Sequence, residues 1–175
     1  MHDLNSVLAE CYQTLNALSI EYSAHILVKM DPEMKKHRWG LCHREQIGPF
    51  EYAYTITIAP VLFDECVPID SLKRVLYHEL LHTVNGAFNH QERRWGRFAK
   101  KVSEATGLSI DKRVSPARLG IDLGYRNDPS VKFMCQCDKC GTQFVRYRKC
   151  SLVEKVGELR CMCGGKYFVV LNKFL

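Results

Sequence analysis

Apolar residues at Leu4, Val7, Leu8, Cys11, Leu15 and Leu18 keep the spacing of one helical face, and Asp3 stands where it can cap that helix. The period then changes. Residues 22–30 alternate loosely and Trp39–His43 is a short extended run. Residues 52–59 alternate cleanly, with Tyr52, Tyr54, Ile56 and Ile58 on one face and Ala53, Thr55, Thr57 and Ala59 on the other. Pro60, which has no amide hydrogen, ends that strand. Helical spacing returns from Asp70, the expected cap, to about Val84, with Asn85-Gly86 as its stop. Leu72, Val75, Leu76, Leu80, Leu81 and Val84 cover most of the circumference, which predicts a central, buried helix. Another helix is expected to open at Asn89, with Glu92 as its capping-box partner and Gly107 as its end. Trp95, Phe98, Ala99, Val102 and Ala105 form its apolar stripe.

From Leu108 to Ser130 no period holds, and Pro116, Gly120, Gly124 and Pro129 punctuate the stretch. The remainder reads as short strands around paired cysteines. The expected division is therefore a first domain over 1–110, a linker over 111–130 and a small β-rich module over 131–175. No apolar run is long enough to span a bilayer, and the chain's start lacks the basic and apolar segments of a secretory signal. The expectation is an intracellular, cytoplasmic protein with no membrane partner.

That expectation changes how the nine cysteines are read. In a reducing compartment, crowded cysteines point to metal rather than disulfides. Cys11, Cys42 and Cys66 are scattered, whereas Cys135, Cys137, Cys140, Cys150, Cys161 and Cys163 fall together near the end. Charge divides similarly. Residues 1–110 carry 12 Lys/Arg against 13 Asp/Glu, and residues 111–175 carry 13 against 6. A basic module of this kind suggests nucleic acid, although thiolates bound to zinc would return part of the excess.

Two constellations carry chemistry. His78 and His82, four apart on a helix, face one way and can share one ion. Zinc takes such nitrogen ligands, and a catalytic site uses three protein ligands and leaves a place for water. Glu79 stands where its carboxylate can take a proton from that water, as the general base of a metal-assisted hydrolysis. The leading third ligand is His90, just beyond the Asn85-Gly86 turn; Glu104, Glu92 and water are the alternatives. The 52–59 strand reads in two ways, as a strand along which an extended peptide pairs or as an ordinary half-buried strand. No residue stands out as the oxyanion stabiliser; Tyr125 and several arginines are available.

The second constellation is Cys137-x-x-Cys140-Gly141 answered by Cys161-x-Cys163-Gly164, which suits a closed structural zinc site, with Cys135 and Cys150 competing for a place in it. Closure on the metal would supply much of the folding energy of so short a module. Between the knuckles, Phe144–Lys149 as a strand would put Arg146 and Arg148 on one face and Tyr147 and Lys149 on the other, a candidate nucleic-acid surface.

Together these residues resemble the SprT-like family, which includes the Spartan proteases. The resemblance runs through Trp39-Gly40-Leu41-Cys42, Ile56-Thr57-Ile58-Ala59, the His78–His82 motif, His90 with Trp95, Phe133–Gly141 and Cys161–Lys166. It departs at Gln91, where the family commonly has glycine, and in the Cys161–Cys163 knuckle, which is one residue short. The resemblance implies an α+β fold: a minimal zincin-like domain of three helices on a small sheet, then a zinc ribbon. It implies one catalytic zinc on His78, His82 and His90, Glu79 as general base, and one structural zinc on the cysteines. It also implies a DNA-activated protease that degrades proteins crosslinked to DNA, a repair activity. Two other readings stand beside it: a zinc-containing nucleic-acid-binding protein without proteolysis, and a metal hydrolase of a small substrate. A protease requires an open groove; a small-molecule hydrolase requires a closed pocket near Glu79.

Overall fold

A computed structural model describes residues 2–34, 38–114, 116–121 and 131–172. The chain divides into two compact units, Met1–Arg113 and Val114–Leu175. The fold is α+β, with three helices packed on a three-stranded sheet followed by a small antiparallel sheet that holds the cysteine cluster. Tyr125 and the linker residues around it lie outside the described residues.

In the first unit, helix α1 (Leu4–Ala17) begins where the Asp3 carboxylate accepts hydrogen bonds from the Asn5 and Ser6 amides. These are donors that the first turn of a helix leaves without partners. Strands β1 (Ile26–Met30), β2 (Gly40–Gln46) and β3 (Tyr52–Ile58) then form a sheet in the order β1-β3-β2. β3 runs parallel to β1 and antiparallel to β2. Tyr54, Ile56 and Ile58 are buried on one face, as their alternation requires.

The same alternation misleads about the edge. β3, expected to accept a peptide along its length, is the central strand, with both neighbours already bonded to it. A half-buried strand alternates identically at the centre and at the rim, so the pattern alone does not separate the two. An edge belongs instead to β2, whose exposed His43, Arg44, Glu45 and Gln46 suit a strand facing water.

Helix α2 (Ile69–Leu81) is as central as expected: Leu72, Val75, Leu76, Leu80 and Leu81 are all buried, and the helix packs on α1, α3, β2 and β3. Each such side chain contributes roughly 1.5–3 kcal/mol of burial, so α2 is a firm platform for what it carries. Its ends differ from expectation. Pro68 precedes the first turn and Asp70 lies within it, where a carboxylate favours the positive end of the helix dipole. The helix stops at Leu81, because the His82 and Thr83 amides bond three residues back, to Glu79 and Leu80, and tighten the last turn. The Thr83 hydroxyl also donates to the Leu80 carbonyl.

Helix α3 (Arg93–Thr106) likewise opens later than Asn89. Residues 89–92 make a turn closed by the Glu92 amide on the Asn89 carbonyl at 3.0 Å. Their side chains still meet, Asn89 Nδ2 to Glu92 Oε1 at 3.3 Å, but as a turn contact rather than a helix cap. Gly107 ends α3 with φ of 72°, a left-handed conformation that glycine adopts without strain.

In the second unit, β4 (Phe133–Cys137) lies between β5 (Gln143–Arg146) and β6 (Tyr167–Asn172), antiparallel to both. A single helical turn, α4 (Ser151–Glu154), lies between β5 and β6. Among the described residues, no helix is long and apolar enough to cross a membrane.

Candidate metal centres

Three elements bring the histidines together. His78 is on the last full turn of α2, His82 is its C-cap and His90 belongs to the turn before α3, so the motif lies at the helix end rather than mid-helix. One ring nitrogen from each of His78, His82 and His90 lies within 4.8 Å of the others. His78 Nδ1 is 2.8 Å from the Asp111 carbonyl and His82 Nδ1 is 2.7 Å from the Phe88 carbonyl. A carbonyl only accepts, so each Nδ1 carries the proton and each Nε2 presents a lone pair. His78 Nε2 then faces His90 Nε2 at 2.9 Å. Two nitrogens on one tetrahedral zinc stand about 3.4 Å apart at bonds of about 2.1 Å, so a small separation of the rings accommodates the ion. Trp95, 2% exposed, packs against all three rings. Burial lowers the His78 and His82 imidazoles from 6.5 to about 4, so both stay neutral, as metal ligands must.

Of the alternative third ligands, Glu104 is exposed and pairs with Lys100 at 3.7 Å. Glu92 engages Asn89, and neither carboxylate belongs to the cluster. Glu79 is 6% exposed. Burial raises its carboxyl to about 8, opposed by a hydrogen bond from the Cys42 amide and by the Arg38 charge. The Cys42 contact ties Glu79 to edge strand β2.

Gly40, on the same strand, shows how close that approach is. A Cβ there would lie 2.5 Å from Glu79 Oε1 and 2.8 Å from Val75 Cγ1. Gly40→Ala is expected to push the Glu79 carboxylate aside, and any hydrolysis that Glu79 supports at this site should then fall at least about 10-fold with metal content unchanged. Turnover and metal analysis on the same preparation check this, and undiminished turnover refutes it.

A second prediction follows from Glu79 itself. A carboxyl that is neutral in the fold and ionised in the unfolded chain contributes stability that is complete below pH 4.5 and lost as pH rises to about 8. Metal-free protein carrying Glu79→Gln, which has nothing to ionise there, is therefore expected to gain in melting temperature over wild type as pH climbs through that window. Parallel melting curves for the two proteins would contradict it.

In the second unit, Cys137 ends β4 and Cys140 sits on the turn that follows, closed by the Cys137 amide on the Thr142 carbonyl and the Gly141 amide on the Cys137 carbonyl. Cys161 and Cys163 sit on a turn held by reciprocal bonds, Cys161 amide to Gly165 and Gly164 amide to Cys161, each 2.8 Å. The one-residue spacer therefore closes without help from Cys150. The four sulfurs lie within 4.8 Å of one another, with Cys137–Cys163 and Cys140–Cys161 both at 3.5 Å. Sulfurs on one tetrahedral zinc stand about 3.8 Å apart at bonds of about 2.3 Å, so the cluster fits that ion closely. Burial works against ionising Cys140 and Cys161, but hydrogen bonds from Thr142 and from the Cys163 amide prevail and hold both thiols below 9.0. Cys135 is buried on β4 and Cys150 precedes α4; neither joins the cluster.

The basic segment departs from its expected alternation. β5 ends at Arg146, whose guanidinium lies 4.8 Å over the Phe144 ring and donates to the Val145 carbonyl. Tyr147 and Arg148 are exposed in the bend that leads to α4, and Lys149 pairs with Glu154 at 3.6 Å. The four residues do not form two faces of one strand.

Fold and clusters together define a two-unit α+β protein with a three-histidine and a four-cysteine candidate metal site. No protein-family model, curated protein or solved structure matches the chain. The Asp111 and Phe88 carbonyls and the Cys42 amide were not found by sequence reasoning, because any residue type can supply a backbone group.

Proposed function

We propose that the chain is a zinc-dependent peptidase of the SprT-like kind, acting on DNA-associated or DNA-crosslinked proteins with DNA as activator. The observation that carries the hydrolytic part is the convergence of three imidazoles, two of them held neutral by burial, with Glu79 next to His78 on α2 and tied to the edge strand. An extended peptide added to the edge of β2 would pass the Glu79 carboxylate, an arrangement that favours a polymer substrate over a small molecule in a closed pocket.

His78, His82 and His90 would hold the catalytic zinc, with His78 and His82 aimed by the Asp111 and Phe88 carbonyls. Bound zinc supplies Lewis acidity toward a carbonyl oxygen and a field that acidifies nearby water and favours ionised Glu79. Glu79 takes the proton of the attacking water and delivers it to the departing amine nitrogen. Cys137, Cys140, Cys161 and Cys163 would hold the structural zinc.

The DNA part is supported by the excess of 13 Lys/Arg over 6 Asp/Glu in residues 111–175, with Tyr147 and Arg148 exposed among them. The test is cleavage of a DNA-binding protein by zinc-loaded wild type and by Glu79→Gln, each with and without single-stranded DNA. Cleavage that is stimulated by DNA and lost in the variant supports the whole reading. Cleavage indifferent to DNA removes the activator, and absence of cleavage removes the peptidase.

A further inference from the structure

Beside the histidine cluster lies a groove of about 420 Å³, lined by Tyr22, Arg44, Tyr52, Tyr54, Thr83 and Phe88 among others. It joins the metal site through Phe88, whose carbonyl orients His82. Gly40, Cys42 and Arg44 alternate onto one face of β2, the face that Gly40 turns toward Glu79. Arg44 therefore stands two residues along the edge strand from Cys42, about 7 Å by strand rise.

Its guanidinium is held by aromatic faces rather than by a counter-charge. Cζ is 4.1 Å from the Phe88 ring centroid and 4.6 Å from that of Tyr52. Stacking of this kind leaves the N–H edge as the bonding surface; the Tyr54 hydroxyl engages part of that edge, and the remaining N–H groups can receive a carboxylate. Among the described residues no carboxylate forms an ion pair with Arg44. Glu51 also lines the groove, but it is engaged by His25 at 2.8 Å. It also precedes β3, three residues before Tyr54, the register partner of Arg44, about 10 Å away by strand rise.

We propose, resting on the peptidase reading, that Arg44 is a specificity residue that binds an Asp or Glu side chain of a peptide extended along β2. The acidic side chain enters the groove about two residues from the position beside Cys42, and Tyr52 and Phe88 keep the guanidinium aimed at it. A DNA phosphate is the poorer occupant. Glu21 and Glu51 also line the groove, and they repel a polyanion that brings several charges past them more than the single carboxylate that Arg44 receives.

The experiment uses the zinc-loaded 175-residue chain carrying Glu79→Gln and short labelled peptides that differ only in Asp, Ala or Lys at one scanned position. Fluorescence anisotropy is expected to show the Asp peptide binding about 10-fold tighter than the Ala peptide at one position. Adding Arg44→Gln removes the preference with zinc content and melting temperature unchanged, and Arg44→Lys restores part of it. Equal affinity for Asp and Ala peptides overturns the proposal, as does a preference that survives Arg44→Gln or no binding of any peptide. So does a loss of single-stranded DNA binding in Arg44→Gln with peptide preference intact, which would make Arg44 a DNA contact. Wild type assayed on the same peptides separates the two readings. Cleavage without acidic preference sinks only the Arg44 proposal, and no cleavage at all sinks the peptidase.

Discussion

On the peptidase reading proposed above, Glu79→Gln is expected to lower peptide-bond hydrolysis by about 10²–10⁴-fold, the range associated with losing a positioned general base, while both candidate metal sites keep their zinc. The amide has the volume and hydrogen-bonding reach of the carboxyl, so the Cys42 amide keeps a partner and α2 keeps its packing. What disappears is the capacity to take a proton. The same loss would follow trivially if the variant dropped its metal, so zinc content is measured on the assayed sample. The ligands argue for retention: His78 and His82 are aimed by carbonyls of Asp111 and Phe88, and the Glu79 side chain makes neither contact. A rate loss that falls on kcat with KM steady places Glu79 in the chemistry. A folded, zinc-loaded variant that cleaves at the wild-type rate would exclude the mechanism and leave the histidines a structural site.

Much of the fold and of the candidate sites was legible in the residues, for identifiable reasons. Helix α2 declared itself because its apolar residues surround it, and the His78–His82 spacing sat on that helix. The cysteine knuckles were legible because their spacing and following glycines are local properties. The errors came where tertiary pairing decides. β3 carries the cleanest alternation, yet it is central, because alternation records which face is buried and not which neighbours lie alongside. α3 begins at Arg93 rather than Asn89, because residues 89–92 are used as the turn that carries His90 toward His78. The role of Gly40 was hidden for a similar reason: only the approach of Glu79 from another element leaves no room for a side chain there unless the carboxylate moves.

With the four cysteines holding a structural zinc as proposed, Cys140→Ser is expected to cost the second unit its structure and the chain one zinc. β4 and its neighbours bury Val131, Phe133, Met134, Cys135 and Val153, a small core for a sheet of three short strands. The cysteines tie its two turns together, and Gly165 shows how tightly: a Cβ there would collide with Cys137 Sγ and lie 2.6 Å from Asp138 Oδ1. Structural zinc contributes roughly 10–16 kcal/mol in small modules of this type, more than such a core supplies, so removing one thiolate ligand should release the fold. Native mass spectrometry is expected to show zinc falling from two to one per chain. Amide exchange across Phe133–Cys137 and Tyr167–Asn172 should accelerate by at least about 10²-fold, while α2 amides keep the protection of their own core. His90→Ala supplies the contrast, with one zinc lost from the other site and the β4 amides unchanged. Retained protection of β4 in Cys140→Ser would show that the sheet stands without its metal, and the cysteine cluster would then need a role other than holding the fold.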